Sequence, residues 1–134
     1  MKGRNFKLKL KISINVVYGK WSLRAGGAVL GETTKALQLQ EGDKNAVLFF
    51  PRQDLAMAFF EKTGHKTICP HKGTAGYYSI ITKSQTLENT AYEFIKPRPE
   101  VKDLLSYVAF VPNDAVIIET VSYTHLTLPT KNEV

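Results

Sequence analysis

Apolar and polar residues alternate along the first stretch of the chain. Phe6, Leu8, Leu10, Ile12, Ile14 and Val16 fall on one face, and Lys7, Lys9, Lys11, Ser13 and Asn15 on the other. A period of two belongs to a half-buried strand, and a lysine face suits a sheet edge that must resist aggregation. Tyr18-Gly19-Lys20 reads as a turn, and residues 21–24 and 29–33 are expected to pair as a hairpin across Gly26-Gly27. Alternation returns over residues 36–40, Glu41-Gly42-Asp43 breaks it, and residues 46–50 form a short, wholly apolar buried strand.

Pro51 then opens a short helix, with Asp54 favourable near its N-terminus, an apolar stripe of Leu55, Phe59 and Phe60, and Gly64 as its end. Residues 66–69 are extended, 70–76 form a loop with two glycines, and 77–82 form a strand. A turn at 83–85 leads to a strand over 87–95, stopped by Pro97 and Pro99. Residues 100–105 suit a helical turn or two. Residues 107–111 and 115–120 are expected to close a hairpin around Pro112-Asn113-Asp114. About seven to nine short strands with one or two short helices make a mainly β, or α+β, fold.

The length of 134 residues suits one domain, and 43% hydrophobic with 22% charged residues is ordinary for a globular protein. No apolar run is long enough to span a membrane, and residues 1–15 alternate where a signal peptide needs a continuous apolar stretch. The single cysteine, Cys69, excludes an intramolecular disulfide and fits a reducing, cytosolic setting. The net charge of +6 is localised. Lys2, Arg4, Lys7, Lys9, Lys11 and Lys20 hold all of it, and the remaining residues carry twelve basic and twelve acidic side chains. A neutral body does not provide a phosphate-neutralising groove, so nucleic acid is not an expected partner.

The organisation expected is a basic N-terminal strand over residues 1–19, a domain over 20–121, and a tail over 122–134. The stretch from Ser122 to Thr130 breaks the preceding pattern and resembles the translation of a sequencing adaptor, so it enters no functional argument.

Reactive residue types are densest at Cys69-Pro70-His71-Lys72-Gly73, followed by Tyr77-Tyr78. A thiol near a lysine and a histidine can act as a nucleophile or redox centre, and glycine lets backbone approach a ligand closely. The opposing reading is a small buried cysteine at a strand end, with His71 and Lys72 solvated. A metal trio of His65, Cys69 and His71 is conceivable, but the spacing lacks any C-x-x-C pair, and neither metal nor cofactor is expected. Pro51-Arg52-Gln53-Asp54 is the second candidate. Its arginine fork can hold a carboxylate or phosphate, or can pair with Asp54 or a glutamate to fasten the junction. Trp21, Tyr92, Phe94, Tyr107 and Phe110 serve either as core or as a pocket lining.

Several of these stretches together resemble a known family. They are Leu48-Phe-Phe-Pro-Arg-Gln-Asp-Leu55, Thr67-Ile-Cys-Pro-His-Lys-Gly-Thr-Ala-Gly-Tyr-Tyr-Ser-Ile80, Glu88-Asn-Thr-Ala-Tyr-Glu-Phe94 and Tyr107-Val-Ala-Phe110. In order and spacing they resemble the domain of unknown function 427 family over about residues 20–120. Tyr78 and Tyr92 stand where that family often has tryptophan, and Gly31-Glu32-Thr33 stands for its usual Ala-Asp-Ser. The resemblance implies two packed antiparallel sheets in the tent-like arrangement of the Mss-four and methionine sulfoxide reductase group. It does not bring that group's zinc, because the paired cysteines are missing. A nucleotidyltransferase-like label attached to the family finds no glycine-serine turn with paired aspartates here. The positions matching the family pattern are Arg52, Asp54, Cys69, Lys72, Gly73 and Tyr77.

The function expected is binding of a small anionic molecule in one pocket, where the Pro51 junction meets the loop around Cys69. Arg52, Asp54, His71, Gly73, Tyr77 and Tyr78 would contact the ligand, and Cys69 and Lys72 would supply any catalysis. Two alternatives stand beside it. One is a non-catalytic interaction module pairing through the N-terminal edge strand, and the other is a thiol redox enzyme using Cys69.

Overall fold

Phe49 and Phe50 are neighbours in one strand, so their rings leave on opposite faces, yet both are fully buried. Each side of that strand must therefore be covered. The computed structural model describes residues 11–121, and these form two antiparallel sheets. The strands are β1 (Ile12–Val16), β2 (Lys20–Ala25), β3 (Ala28–Thr33), β4 (Leu37–Glu41), β5 (Val47–Pro51), β6 (Phe60–Cys69), β7 (Gly73–Ile81), β8 (Thr86–Pro97), β9 (Tyr107–Phe110) and β10 (Val116–Val121). The larger sheet has the order β1-β4-β5-β9-β8-β7-β6, and the smaller has the order β10-β2-β3.

The smaller sheet covers the Phe50 side. Leu23 and Leu30 from it pack with Phe50, Leu55, Phe60, Tyr78, Ile80, Val108 and Phe110 in the first core. Phe110 stands edge-on to Phe50 at 6.0 Å between ring centroids. The Phe49 side is covered by a 3-10 segment, Pro99–Leu104, whose Val101 and Leu104 are fully buried against Leu39, Phe49, Ala75, Phe94 and Ala109. Ile12 and Ile14 of β1 and Leu37 of β4 close the same core. Removing either central ring would cost about 3–5 kcal/mol.

The larger sheet curls over this second core. β5, β9 and β8 lie between β4 and β7 in the sheet. Nevertheless Lys72, in the turn joining β6 to β7, reaches Glu41 at the end of β4, with Nζ 2.8 Å from Oε1. The two flanks of the sheet are clasped across its concave face.

The N-terminal strand is at the edge of the larger sheet and pairs with β4, Ile14 opposite Leu39. Its expected continuation over residues 6–10, and the tail over 122–134, lie outside the described residues. The Gly26-Gly27 hairpin forms as expected, both glycines taking positive φ, 57° and 79°. Among the described residues no helix is long and apolar enough to cross a membrane.

Three local expectations give way to tertiary demands. The helix after Pro51 is two single 3-10 turns, Arg52–Asp54 and Met57–Phe59, and the chain is extended from Phe60 through Gly64 to Cys69. Leu55 is extended because it bridges to Gly31, and Ala56 N–H donates to the Leu30 carbonyl at 2.7 Å, which no helix could allow. The expected loop over 70–76 is shorter, because β7 already begins at Gly73, opposite Cys69. The expected hairpin of residues 107–120 does not form. Both edges of β9 are taken by β5 and β8, so β10 crosses over and pairs with β2.

Gly73 carries a constraint of its own. Its φ is +109°, and a Cβ there would lie 2.2 Å from the Lys96 carbonyl oxygen of β8. The close approach it permits is to a neighbouring strand. Gly73→Ala is expected to lower stability by about 3 kcal/mol, read as a denaturant midpoint shift. An unchanged midpoint would mean that the β6–β7 turn is not built this way.

Candidate functional site

Pro51 ends β5 in an extended conformation, and the chain turns at once through Arg52–Asp54. The Arg52 amide is held by the Ser106 carbonyl at 2.9 Å, which ties this turn to the entry of β9. From there the arginine reaches across β9. Its Nη1 donates to Glu93 Oε1 at 3.0 Å and to the Tyr78 hydroxyl at 3.1 Å. Tyr78 is 6% exposed. Burial first, and then the Glu93 charge, push its hydroxyl above the ordinary tyrosine value, so it stays protonated beside the carboxylate. Arg52 is held by one nitrogen, and 42% of its side chain is exposed. With Gln53, Leu55, Met57, Ser106 and Tyr107 it walls a cavity of about 680 Å³. Ser106 sits at φ 70°, an uncommon conformation for a residue with a side chain.

Asp54 does not join this group. It accepts a hydrogen bond from Thr33 Oγ1 at 2.7 Å and fastens the junction to β3. Of the two expected partners for Arg52, the glutamate is the one found.

The second cluster is elsewhere. Along β8, Gly76 is opposite Glu93 and Gly73 opposite Pro97, so four residues, about 13 Å of strand, separate the two sites. They also face different ways. Tyr92 and Phe94 point into the second core, so Glu93 between them points to the first. Glu41 shares the parity of Leu37 and Leu39 and so belongs with the second core. The expected single pocket joining Arg52 to Cys69 and Lys72 is therefore not formed, because opposite faces of one sheet separate them.

Within the second cluster Lys72 is engaged by Glu41 rather than aimed at the thiol, and Cys69 is partly exposed. Its backbone carbonyl accepts from Lys72 N–H at 3.2 Å. His71 is exposed in the turn. His65 meets Tyr77 edge-on at 4.6 Å between ring centroids. Among the described residues no three His, Cys, Asp or Glu side chains are placed to share a metal ion, so the trio of His65, Cys69 and His71 does not assemble.

Tyr77 lies apart from both clusters. With Trp21, Tyr92 and Phe110 it lines a cavity of about 690 Å³ at the opposite end of β5 from Arg52. Phe94 is core, Tyr107 borders the Arg52 cavity, and the other three aromatics named from the sequence share this one.

Three participants escaped the sequence reading. Glu93 was detectable, since a carboxylate between two alternating aromatics must point away from them. Glu41 reads from sequence as part of the turn that breaks an alternating run, whereas it ends β4 and is buried. Ser106 has no sequence signal.

A family model described as a domain of unknown function (DUF427) matches residues 14–122, which include every candidate residue above. No curated protein matches the chain.

The clasp predicts a pH response. Burial would raise the Glu41 carboxyl, but the hydrogen bond and charge of Lys72, with Lys44 and His71 beyond, hold it below its ordinary 4.5. Its contribution to stability is therefore complete above about pH 4.5 and is lost as pH falls through the lower folded value. Lys72→Met should cost about 2 kcal/mol near neutral pH, because the buried carboxylate loses its hydrogen-bonded partner and keeps only Lys44 at 3.7 Å. Adding Glu41→Gln should recover most of that loss and flatten the acid limb of a stability-against-pH curve. Equal losses in the single and double variants would mean that no clasp exists.

Proposed function

The chain belongs to the domain of unknown function (DUF427) family, and we propose that this member binds a small anionic ligand in the cavity walled by Arg52. One observation carries the proposal. The arginine is fixed by Tyr78 and Glu93 through Nη1, and 42% of its side chain stays exposed on a concave wall. A guanidinium held in place loses little entropy on binding, and its planar fork matches a carboxylate or phosphate. Gln53 and Ser106 add polar groups to the same wall. Glu93 opposes an incoming anion, so the site suits weak, exchangeable binding.

Isothermal titration with inorganic phosphate and with acetate tests this directly. Saturable binding is expected, with a loss of about tenfold or more in Arg52→Ala and a substantial loss in Arg52→Lys, which keeps charge but not the fork. Glu93→Gln should tighten binding several-fold by removing the opposing charge. Binding that is absent, or indifferent to Arg52→Ala, would contradict the proposal.

Thiol chemistry at Cys69 is the second reading, favoured by its partial exposure beside Lys72. It requires Lys72 to assist the thiol, so Lys72→Met should slow Cys69 alkylation. Equal rates would leave Lys72 with the clasp alone.

A further inference from the structure

The cavity at the other end of β5 differs from the Arg52 cavity in chemistry. Its wall is built from both sheets, Trp21 and Ile118 from the smaller, Val47, Tyr77, Tyr92 and Phe110 from the larger. No charged side chain lines it; its polar side chains besides the aromatics are amides such as Asn45. Its volume of about 690 Å³ is in the range of small-molecule sites. One donor on the wall lacks an acceptor among the described residues. The Trp21 indole Nε1 is buried with no hydrogen-bond partner. Buried donors are normally satisfied, so an unpaired indole N–H beside an open cavity calls for an acceptor from outside the chain.

We propose that this cavity is a second, independent binding site, for an uncharged planar aromatic molecule carrying a carbonyl or ring-nitrogen acceptor. Tyr77, Tyr92 and Trp21 offer ring faces and edges for stacking, and the absence of charge excludes ions that would be stripped of water without compensation. Burial, with the neighbouring Tyr77, pushes the Tyr92 hydroxyl up to about 12, so it remains a donor throughout the neutral range. The ligand's acceptor would meet Tyr92 or Trp21, and its rings would displace water from the apolar wall.

Trp21 is the only tryptophan, so its emission reports on the site. The full chain would be titrated with 7-methoxycoumarin, which is neutral, planar and carries a lactone carbonyl. A saturable change in Trp21 emission is expected. Tyr92→Phe should weaken binding by several-fold, up to about tenfold. Ala46→Phe, which adds a ring to the cavity wall at an exposed position, should abolish it while leaving the unfolding midpoint unchanged. Coumarin-3-carboxylate, planar but anionic, should bind at least several-fold more weakly, and Arg52→Ala should change nothing. Absence of a saturable emission change overturns the proposal. So does binding that survives both Ala46→Phe and Tyr92→Phe, because the probe would then sit elsewhere.

Discussion

The burial of β5 on both faces is the constraint from which the other features follow. Phe49 and Phe50 need two different cores, and a single antiparallel sheet cannot supply them. The smaller sheet supplies one. The other comes from curling the larger sheet and placing Val101 and Leu104 against its hollow. The Lys72–Glu41 contact at 2.8 Å fastens that curl. Desolvation offsets much of the attraction in an ion pair of this kind, so its net contribution to stability is smaller than the cost of breaking it.

This architecture also distributes the polar chemistry. One face of the larger sheet carries Arg52, Tyr78 and Glu93, and the other carries Glu41 with its clasping lysine. Residues named together from the sequence thus act in separate places: Arg52 walls a cavity, Asp54 pins the junction, Lys72 clasps the sheet, and Gly73 lets two strands meet. A cluster of polar residues in sequence can record folding needs as well as a site. Here Asp54, Lys72 and Gly73 each have an internal partner or steric reason sufficient to explain their identity.

Much of the fold was legible from periodicity. The alternating β1 and β4, the apolar β5 and the two-glycine hairpin are where local pattern and tertiary demand agree. Legibility failed where a strand's edges were already occupied or where a distant strand imposed its geometry. The stripe of Leu55, Phe59 and Phe60 looks helical, but Leu55 is held extended by Gly31 of β3. Residues 107–120 look like a hairpin, but β9 is already paired on both sides. The site was legible by residue type and not by position. Arg52 and a glutamate partner were nameable, whereas the separation of Arg52 from Lys72 depends on strand parity along β8 and on the curl of a seven-stranded sheet.

We propose that Arg52 forms an anion site independent of the cluster around Cys69. Phosphate titration of isotope-labelled protein, followed through backbone amides and the Arg52 Nε–H signal, tests it most directly. Arg52, Gln53 and Ser106 are expected to shift together along one saturating curve while Cys69, His71, Lys72 and Gly73 stay in place. Coordinated shifts in both groups at the same phosphate concentration would contradict it and return the two clusters to a single site.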